Sequence, residues 1–124
     1  MLRCLLLAVI TAGILAAQSP EPQLSHAVFF TLKDKSPASA ATLAAECRKY
    51  LQGHPGEVYF SAGTRAVELK RDVNDQDFQV SLTVIFRTKA DHDRYQTAPK
   101  HLKFIEANQS RWEKVRVFDS YLKP

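Results

Sequence analysis

Cysteine is scarce in this chain of 124 residues, which contains only Cys4 and Cys47. Cys4 belongs to an N-terminal segment that is expected to be removed, so Cys47 would be left alone. A single cysteine cannot form the internal disulfide framework that holds many small exported domains together. Histidine is equally sparse. The four histidines are His26, His54, His92 and His101. None lies at the close spacing that marks a zinc site. We therefore expect no bound metal and no cofactor.

Apolar runs long enough to cross a bilayer as a helix are also missing. Residues 5–17 are almost wholly apolar, follow Arg3 and end in small residues, but a membrane-spanning helix needs about 20 such residues. This layout is typical of a secretory signal peptide. We predict that residues 1–17 form one, cleaved after Ala17, with an uncleaved anchor as the alternative. The protein should then be exported, periplasmic or secreted, without stable membrane association after cleavage.

Basic residues only slightly outnumber acidic residues. The sequence has 17 basic and 13 acidic residues, a formal net charge of +4. Domains that bind nucleic acid usually concentrate their basic residues in one stripe. The basic cluster within residues 100–116 is interrupted by Glu106 and Glu113 and followed by Asp119. We interpret it as a solvated face and expect no nucleic-acid partner.

The remaining chain is predicted to be one domain over residues 25–122, preceded by a flexible lead at residues 18–24. His26 opens the first strand, and both faces of that strand carry apolar residues, which indicates that both are covered. Ser36 followed by Pro37 predicts a helix start, with the serine as cap. This helix should run to about Gln52.

The apolar residues of this first helix recur at spacings of three and four, as expected for one buried stripe. Cys47 lies in the middle of the stripe. We therefore interpret it as an inert core thiol rather than the site of an intermolecular bridge. His54, in the turn after the helix, is expected to be exposed.

Two further strands are predicted at residues 56–70 and 78–87, joined by a polar hairpin turn around Asn74-Asp75. In the second of these strands Phe78 and Phe86 should share one face with the alternating apolar residues between them. Residues 112–122 are predicted to form the last strand, in which Val115, Val117 and Phe118 indicate burial.

Between these strands Pro99 is expected to split a helical segment in two. Thr88 with Asp91 three positions later resembles a capping box and opens the first half. The second half should cover about residues 100–110, with Leu102, Ile105 and Phe104 turned inward. His101 falls in its first turn, where the helix dipole disfavours imidazolium and keeps the ring neutral.

The resulting order is β-α-β-β-α-β, which predicts an α+β, ferredoxin-like sandwich with the helices on one face of a four-stranded antiparallel sheet. The other face is too apolar for water. We therefore expect two sheets to meet in a homodimer that forms a dimeric α+β barrel.

Four features carry a resemblance to a known family. They are His26 at the head of an apolar strand, the run Phe-Arg-Thr-Lys-Ala-Asp-His-Asp-Arg-Tyr at residues 86–95, Pro99 followed by His101, and Val-Phe-Asp-Ser-Tyr at residues 117–121. With them the domain resembles the stress-responsive dimeric α/β-barrel (Dabb) family. The resemblance implies a homodimer whose two sheets form a barrel with the helices outside.

The resemblance also implies candidate site residues. A plant polyketide cyclase of this family uses a histidine and a tyrosine at positions that match His101 and Tyr95, with a first-strand histidine that matches His26 nearby. The cyclase has a histidine before the proline, where this chain has Ala98. As catalytic residues, His101 would accept a proton from a carbon next to a carbonyl group, and Tyr95 would donate a hydrogen bond to the developing enolate oxygen.

Three interpretations of this cluster stay open. In the first, to which we give precedence, His26, Tyr95 and His101 form a buried hydrogen-bonded cluster that ties the first strand to the split helix. In the second, they line an apolar pocket that binds a small apolar or carbonyl-containing molecule. In the third, they catalyse a cyclase-type or isomerase-type proton transfer, and a monooxygenase on the same barrel plan is a weaker alternative. Asn108 also begins a glycosylation sequon.

Overall fold

The computed structural model describes residues 19–123 together with Gly13. Its elements follow the predicted order, and a short 3₁₀ turn precedes the last strand. They are β1 (Gln23–Leu32), α1 (Pro37–Leu51), β2 (Glu57–Thr64), β3 (Val80–Phe86), α2 (Lys89–Thr97), α3 (Pro99–Asn108) and β4 (Trp112–Leu122). Except for Gly13, the predicted signal peptide lies outside the described residues. Within the described ranges, no helix has both the length and the apolarity to cross a membrane.

The four strands form one sheet in the order β2-β3-β1-β4, with each neighbouring pair antiparallel. This order, with the helices packed on one face, is the ferredoxin-like α+β fold, so the predicted fold class is confirmed. In β1, His26 pairs with Val84 of β3 on one side and with Asp119 of β4 on the other. That register decides which side chains meet at the site described below.

The buried core lies between the helices and the sheet face that carries the even-numbered residues of β1. Helix α1 contributes the predicted stripe, including Leu43 and Cys47, both 0% exposed. Burial raises the pKa of the Cys47 thiol to about 12. The thiol is therefore protonated and shielded, and its interpretation as an inert core residue is confirmed.

Both predicted helix starts are present with their caps. The Ser39 amide donates to Ser36 Oγ at 3.2 Å, and the Asp91 amide donates to Thr88 Oγ1 at 3.1 Å. The Thr88 hydroxyl in turn donates to Asp91 Oδ2 at 3.0 Å. Pro99 is the first residue of α3 and leaves Ala98 in an extended conformation between the two helices. The chain therefore turns at the predicted position.

The central hairpin differs from the prediction. Strand β2 ends at Thr64 rather than at residue 70, and β3 begins at Val80, so a long loop joins them. Phe78 precedes β3 and packs against Phe29, with ring centroids 5.0 Å apart, on the sheet face away from the helices. The prediction that Phe78 faces the helices was wrong. Alternation of apolar residues in the sequence does not show where a strand stops pairing with its neighbour, and Phe78 lies outside the paired strand. Strand β1 also begins earlier than expected, at Gln23, and so includes the end of the predicted lead.

The residues of α3 and β4 that are buried also differ in part from those predicted. Leu102 is 53% exposed, whereas Phe104 is 2% exposed and Ile105 is partly buried. In β4, Val117 and Phe118 are 50% and 54% exposed. Val117 lies on an edge strand at the rim of the space under the helices, and Phe118 packs against Phe29 on the opposite sheet face, so neither is buried within one chain.

The backbone at Gly56 lies against the side chain of Asp91 in the first turn of α2. Gly56 has φ +84°, and a methyl group at its Cα would overlap the Asp91 carboxyl group, which accepts a hydrogen bond from the Thr88 cap. Gly53 has nearly the same backbone conformation, φ +87°, but a methyl group at its Cα would meet nothing within 4 Å. The two glycines thus differ in steric surroundings and share the conformational requirement.

We expect Gly56→Ala to destabilise the protein by at least ~1 kcal/mol more than Gly53→Ala. Both substitutions carry the strain of a positive φ, roughly 1–2 kcal/mol, but only the first also forces the Asp91 side chain to move. Guanidinium unfolding of the two variants and the wild type measures the difference. An equal loss of unfolding free energy in the two variants would show that the Asp91 side chain moves aside without a cost in stability.

Candidate functional site

A cavity of about 180 Å³ lies between the sheet and the pair α2–α3. Its wall is mostly apolar, with side chains from β1, β3, α1, α3 and β4, and Val115 and Val117 form a partly exposed rim. Four polar residues complete the lining: His26, Tyr95, Gln96 and His101. The structure therefore brings all three predicted site residues to one cavity, beside His101 as expected.

His26 is oriented by a carboxylate from the neighbouring strand. Its Nδ1 lies 2.6 Å from Asp119 Oδ1, and the strand register holds the two residues opposite each other. Burial lowers the pKa of His26 and outweighs the opposing hydrogen bond to Asp119. A neutral ring that donates from Nδ1 to the carboxylate has Nε2 as its unprotonated nitrogen.

His101 has the same tautomer for a different reason. Its Nδ1 lies 3.0 Å from the Gln96 carbonyl oxygen, which can only accept, so Nδ1 carries the proton. The pKa of His101 is lowered first by burial, and the neighbouring histidines lower it further. The neutral ring predicted from the helix dipole is therefore present, but burial is its main cause.

Tyr95 is the centre of the cluster. It is 2% exposed, and its ring centroid lies 4.6 Å from that of His101 and 5.8 Å from that of His26. Its hydroxyl has no hydrogen-bond partner among the described residues. Burial raises the pKa of Tyr95 above its usual range, so the hydroxyl remains a donor. The histidines bond to Asp119 and Gln96 instead, which is not the mutually hydrogen-bonded cluster of the first interpretation.

Three further site residues did not emerge from the sequence. Trp112 lines the cavity, and its indole Nε1–H has no partner in the described part of the chain. Asp119 orients His26. His54, expected to be exposed, is only 9% exposed, and its ring packs edge-on against Tyr95 at 5.0 Å. Only the pairing of β1 with β4 could have identified Asp119 beforehand.

The sequon residue lies within the fold. Asn108 is 1% exposed, and its side-chain amide donates to the Phe104 carbonyl oxygen at 3.0 Å. In the folded protein the amide is thus engaged in closing α3 and is shielded from modifying enzymes.

The sequence profile of the stress responsive A/B barrel domain, Dabb, matches residues 24–122. The chain belongs to the Dabb family. This Dabb domain matched no curated protein significantly. Among solved structures it resembles a Dabb family protein with a ferredoxin-like fold from Mesorhizobium loti, with a TM-score of 0.69, 21% identity, and coverage of 84% of this chain and 100% of that one.

Two other solved structures are similar to this Dabb domain. A hydroxynitrile lyase from Passiflora edulis aligns with a TM-score of 0.66 and 22% identity, over 85% of this chain and 96% of that one. A dimeric ferredoxin-like protein of unknown function from Thermobifida fusca aligns with a TM-score of 0.68 and 11% identity, over 86% and 97%. At these identities the likeness shows the fold.

Proposed function

We propose that this Dabb domain binds a small carbonyl-containing molecule in the cavity beside His101. The observation that carries the proposal is Tyr95, which lines the cavity and whose buried hydroxyl has no partner among the described residues. A buried donor left unpaired is unfavourable by roughly 1–3 kcal/mol. A ligand oxygen that accepts this hydrogen bond would remove that penalty.

The size and lining of the cavity support a compact ligand. A protein cavity of ~150 Å³ accepts benzene, so about 180 Å³ suits a ring with one small substituent. Apolar walls favour the ring, while Tyr95 and Trp112 line the cavity and each carries a donor that has no partner in the described part of the chain. The unprotonated nitrogens of His26 and His101 offer acceptors for a hydroxyl group. A hydroxy-carbonyl compound therefore matches the cavity in both respects.

Proton transfer on the bound molecule is the second candidate function. His101 is neutral, and its ring is the histidine nearest to Tyr95. A base next to a hydrogen-bond donor can remove a proton while the donor stabilises the negative charge that develops on the carbonyl oxygen. His26, held by Asp119, would position the ligand. The Passiflora edulis neighbour is named as a lyase, so this fold can hold an enzyme.

Dimerisation and export complete the proposal. The sheet face away from the helices carries the aromatic patch Phe29, Phe78 and Phe118, whose neighbouring rings lie 5.0 and 5.8 Å apart. Covering this patch with the same face of a second chain would bury apolar surface, and the Thermobifida fusca neighbour is described as dimeric. Export follows from the signal peptide expected at residues 1–17.

The binding proposal is tested with the intrinsic fluorescence of Trp112. Trp112 is the only tryptophan in the chain and lines the cavity, so an occupant should change its emission. We expect saturable changes with benzaldehyde, acetophenone or their hydroxylated derivatives. Toluene, which has a similar size but no oxygen, serves as the matched compound and should bind more weakly.

The His101→Gln variant separates binding from proton transfer. It should retain saturable binding of the carbonyl compounds while losing any exchange of the α-hydrogens of acetophenone for deuterium, followed by NMR. No emission change up to the solubility limit of every carbonyl compound would overturn the binding proposal. Binding without wild-type exchange would overturn only the proton transfer.

A further inference from the structure

The three side chains of His26, His92 and Asp119 converge next to the cavity, at the edge of the sheet. One potential ligand atom from each lies within 4.8 Å of the others. The residues come from β1, α2 and β4, and are far apart in sequence. The spacing of the histidines along the chain therefore gave no indication of this group.

The fold holds the group in place from all three sides. The register of β1 with β4 sets His26 opposite Asp119, with Nδ1 and Oδ1 at 2.6 Å. The Thr88 cap fixes the start of α2, which presents His92 with its ring centroid 5.1 Å from that of His26. The Gln96 side chain contacts His92 Nε2 at 3.0 Å and further restrains that ring.

Solvent reaches this group through a surface cleft of about 210 Å³, whose lining includes His92 and Asp119. The same cleft contains Lys89 and Asp93, which pair with each other at 2.5 Å and so offset each other's charge. Because Lys89 and Asp93 offset each other, the carboxylate of Asp119 gives the cleft an excess of negative charge. The side chain of His26 is 6% exposed and that of Asp119 is 43% exposed, so the group has an apolar side and an open side.

We propose that His26, His92 and Asp119 bind one divalent transition-metal ion. Two imidazoles and one carboxylate match the donor preferences of Zn²⁺ and Co²⁺ rather than those of Mg²⁺ or Ca²⁺. Donor atoms around one such ion lie ~3–4 Å apart when each bond is ~2.0–2.2 Å. The His26–Asp119 contact of 2.6 Å must therefore lengthen, and any pair of donor atoms near the 4.8 Å limit must move closer together. The open side leaves at least one coordination position for water.

The metal site extends the proposed function because His26 belongs both to the group of three and to the lining of the cavity. An ion at Nδ1 displaces the proton shared with Asp119, and a neutral ring then carries its proton on Nε2. His26 would change from an acceptor to a donor on its other nitrogen. Metal binding itself does not depend on whether the cavity holds an organic ligand, so the two proposals fail separately.

The test uses the protein without a polyhistidine tag, titrated with CoCl₂ and followed by visible absorption and isothermal calorimetry. We expect one Co²⁺ per chain with d–d bands of low coordination number, and competition by Zn²⁺. His92→Gln and Asp119→Asn should each weaken Co²⁺ binding by ~100-fold or more, beyond the ~10- to 100-fold effect of removing an outer-shell partner.

His101→Gln is the matched control, because it removes a histidine that lines the cavity but lies outside the group of three. It should retain the affinity for Co²⁺, and circular dichroism should show that all variants are folded. Absence of Co²⁺ binding by the wild type would overturn the proposal. So would binding that survives both His92→Gln and Asp119→Asn, since the ion would then occupy another site.

Discussion

Tyr95→Phe is expected to leave the free protein as stable as the wild type or to stabilise it, while weakening binding of the carbonyl compounds about tenfold or more. The hydroxyl is buried without a partner among the described residues, so its removal relieves a penalty of roughly 1–3 kcal/mol. With a ligand bound, the same hydroxyl makes a hydrogen bond worth ~0.5–1.5 kcal/mol to a neutral acceptor and more to a charged one. The two effects therefore have opposite signs.

Chemical unfolding and the Trp112 fluorescence titration measure these two effects on the same preparations. The opposite signs distinguish a binding site from a structural cluster, in which removal of the hydroxyl would lower stability. Phe86→Leu is the matched control, since Phe86 contacts Tyr95, with ring centroids 5.0 Å apart, and is 0% exposed. It should lower stability while changing ligand affinity much less. A destabilised Tyr95→Phe with unchanged ligand affinity would contradict the proposed role of the hydroxyl.

Phe118→Asp is expected to convert the proposed dimer to monomers at micromolar concentration. Phe118 is 54% exposed in the single chain and belongs to the aromatic patch on the open sheet face. A carboxylate there would have to be buried in the dimer, so we expect the dissociation constant to rise by ~30-fold or more, as for an interface residue worth at least ~2 kcal/mol. Light scattering or analytical ultracentrifugation over a concentration series measures the shift.

The substitution at Phe118 should affect association of the chains without disturbing the fold of each chain. Because its side chain is half exposed, the monomer should retain its far-ultraviolet circular dichroism. Val73→Asp introduces the same charge at a residue that is 84% exposed in the loop between β2 and β3. It should leave the dimer largely intact. A wild-type protein that is monomeric at every concentration would refute the dimer itself.

The sequence predicted the elements well because their signals are local. Ser36 with Pro37, Thr88 with Asp91, and Pro99 each determine a helix boundary through contacts within a few residues. Alternation along β3 likewise predicted which of its residues are buried. The central hairpin was less accurate because alternation continues past Thr64, where pairing with the neighbouring strand ends.

The sequence predicted only those site residues that can be recognised one at a time from the motif in which each lies. The family resemblance identified Tyr95, His101 and His26, and the fold places them around one cavity. Asp119 remained unnoticed because it is 93 positions from His26, and only the register of β1 with β4 brings them together. The burial of His54 depends in the same way on a long-range contact with Tyr95.

The alternation of β1 has a consequence for how this protein can change over evolution. Even-numbered positions such as His26 and Phe30 face the helices, and odd-numbered positions such as Ala27 and Phe29 face the opposite side. Substitutions in this strand can therefore alter the pocket and the proposed contact with a second chain independently of each other. Insertion or deletion of one residue would exchange the two parities and disrupt both at once. The length of β1 should accordingly be under stronger constraint than the identity of most of its residues.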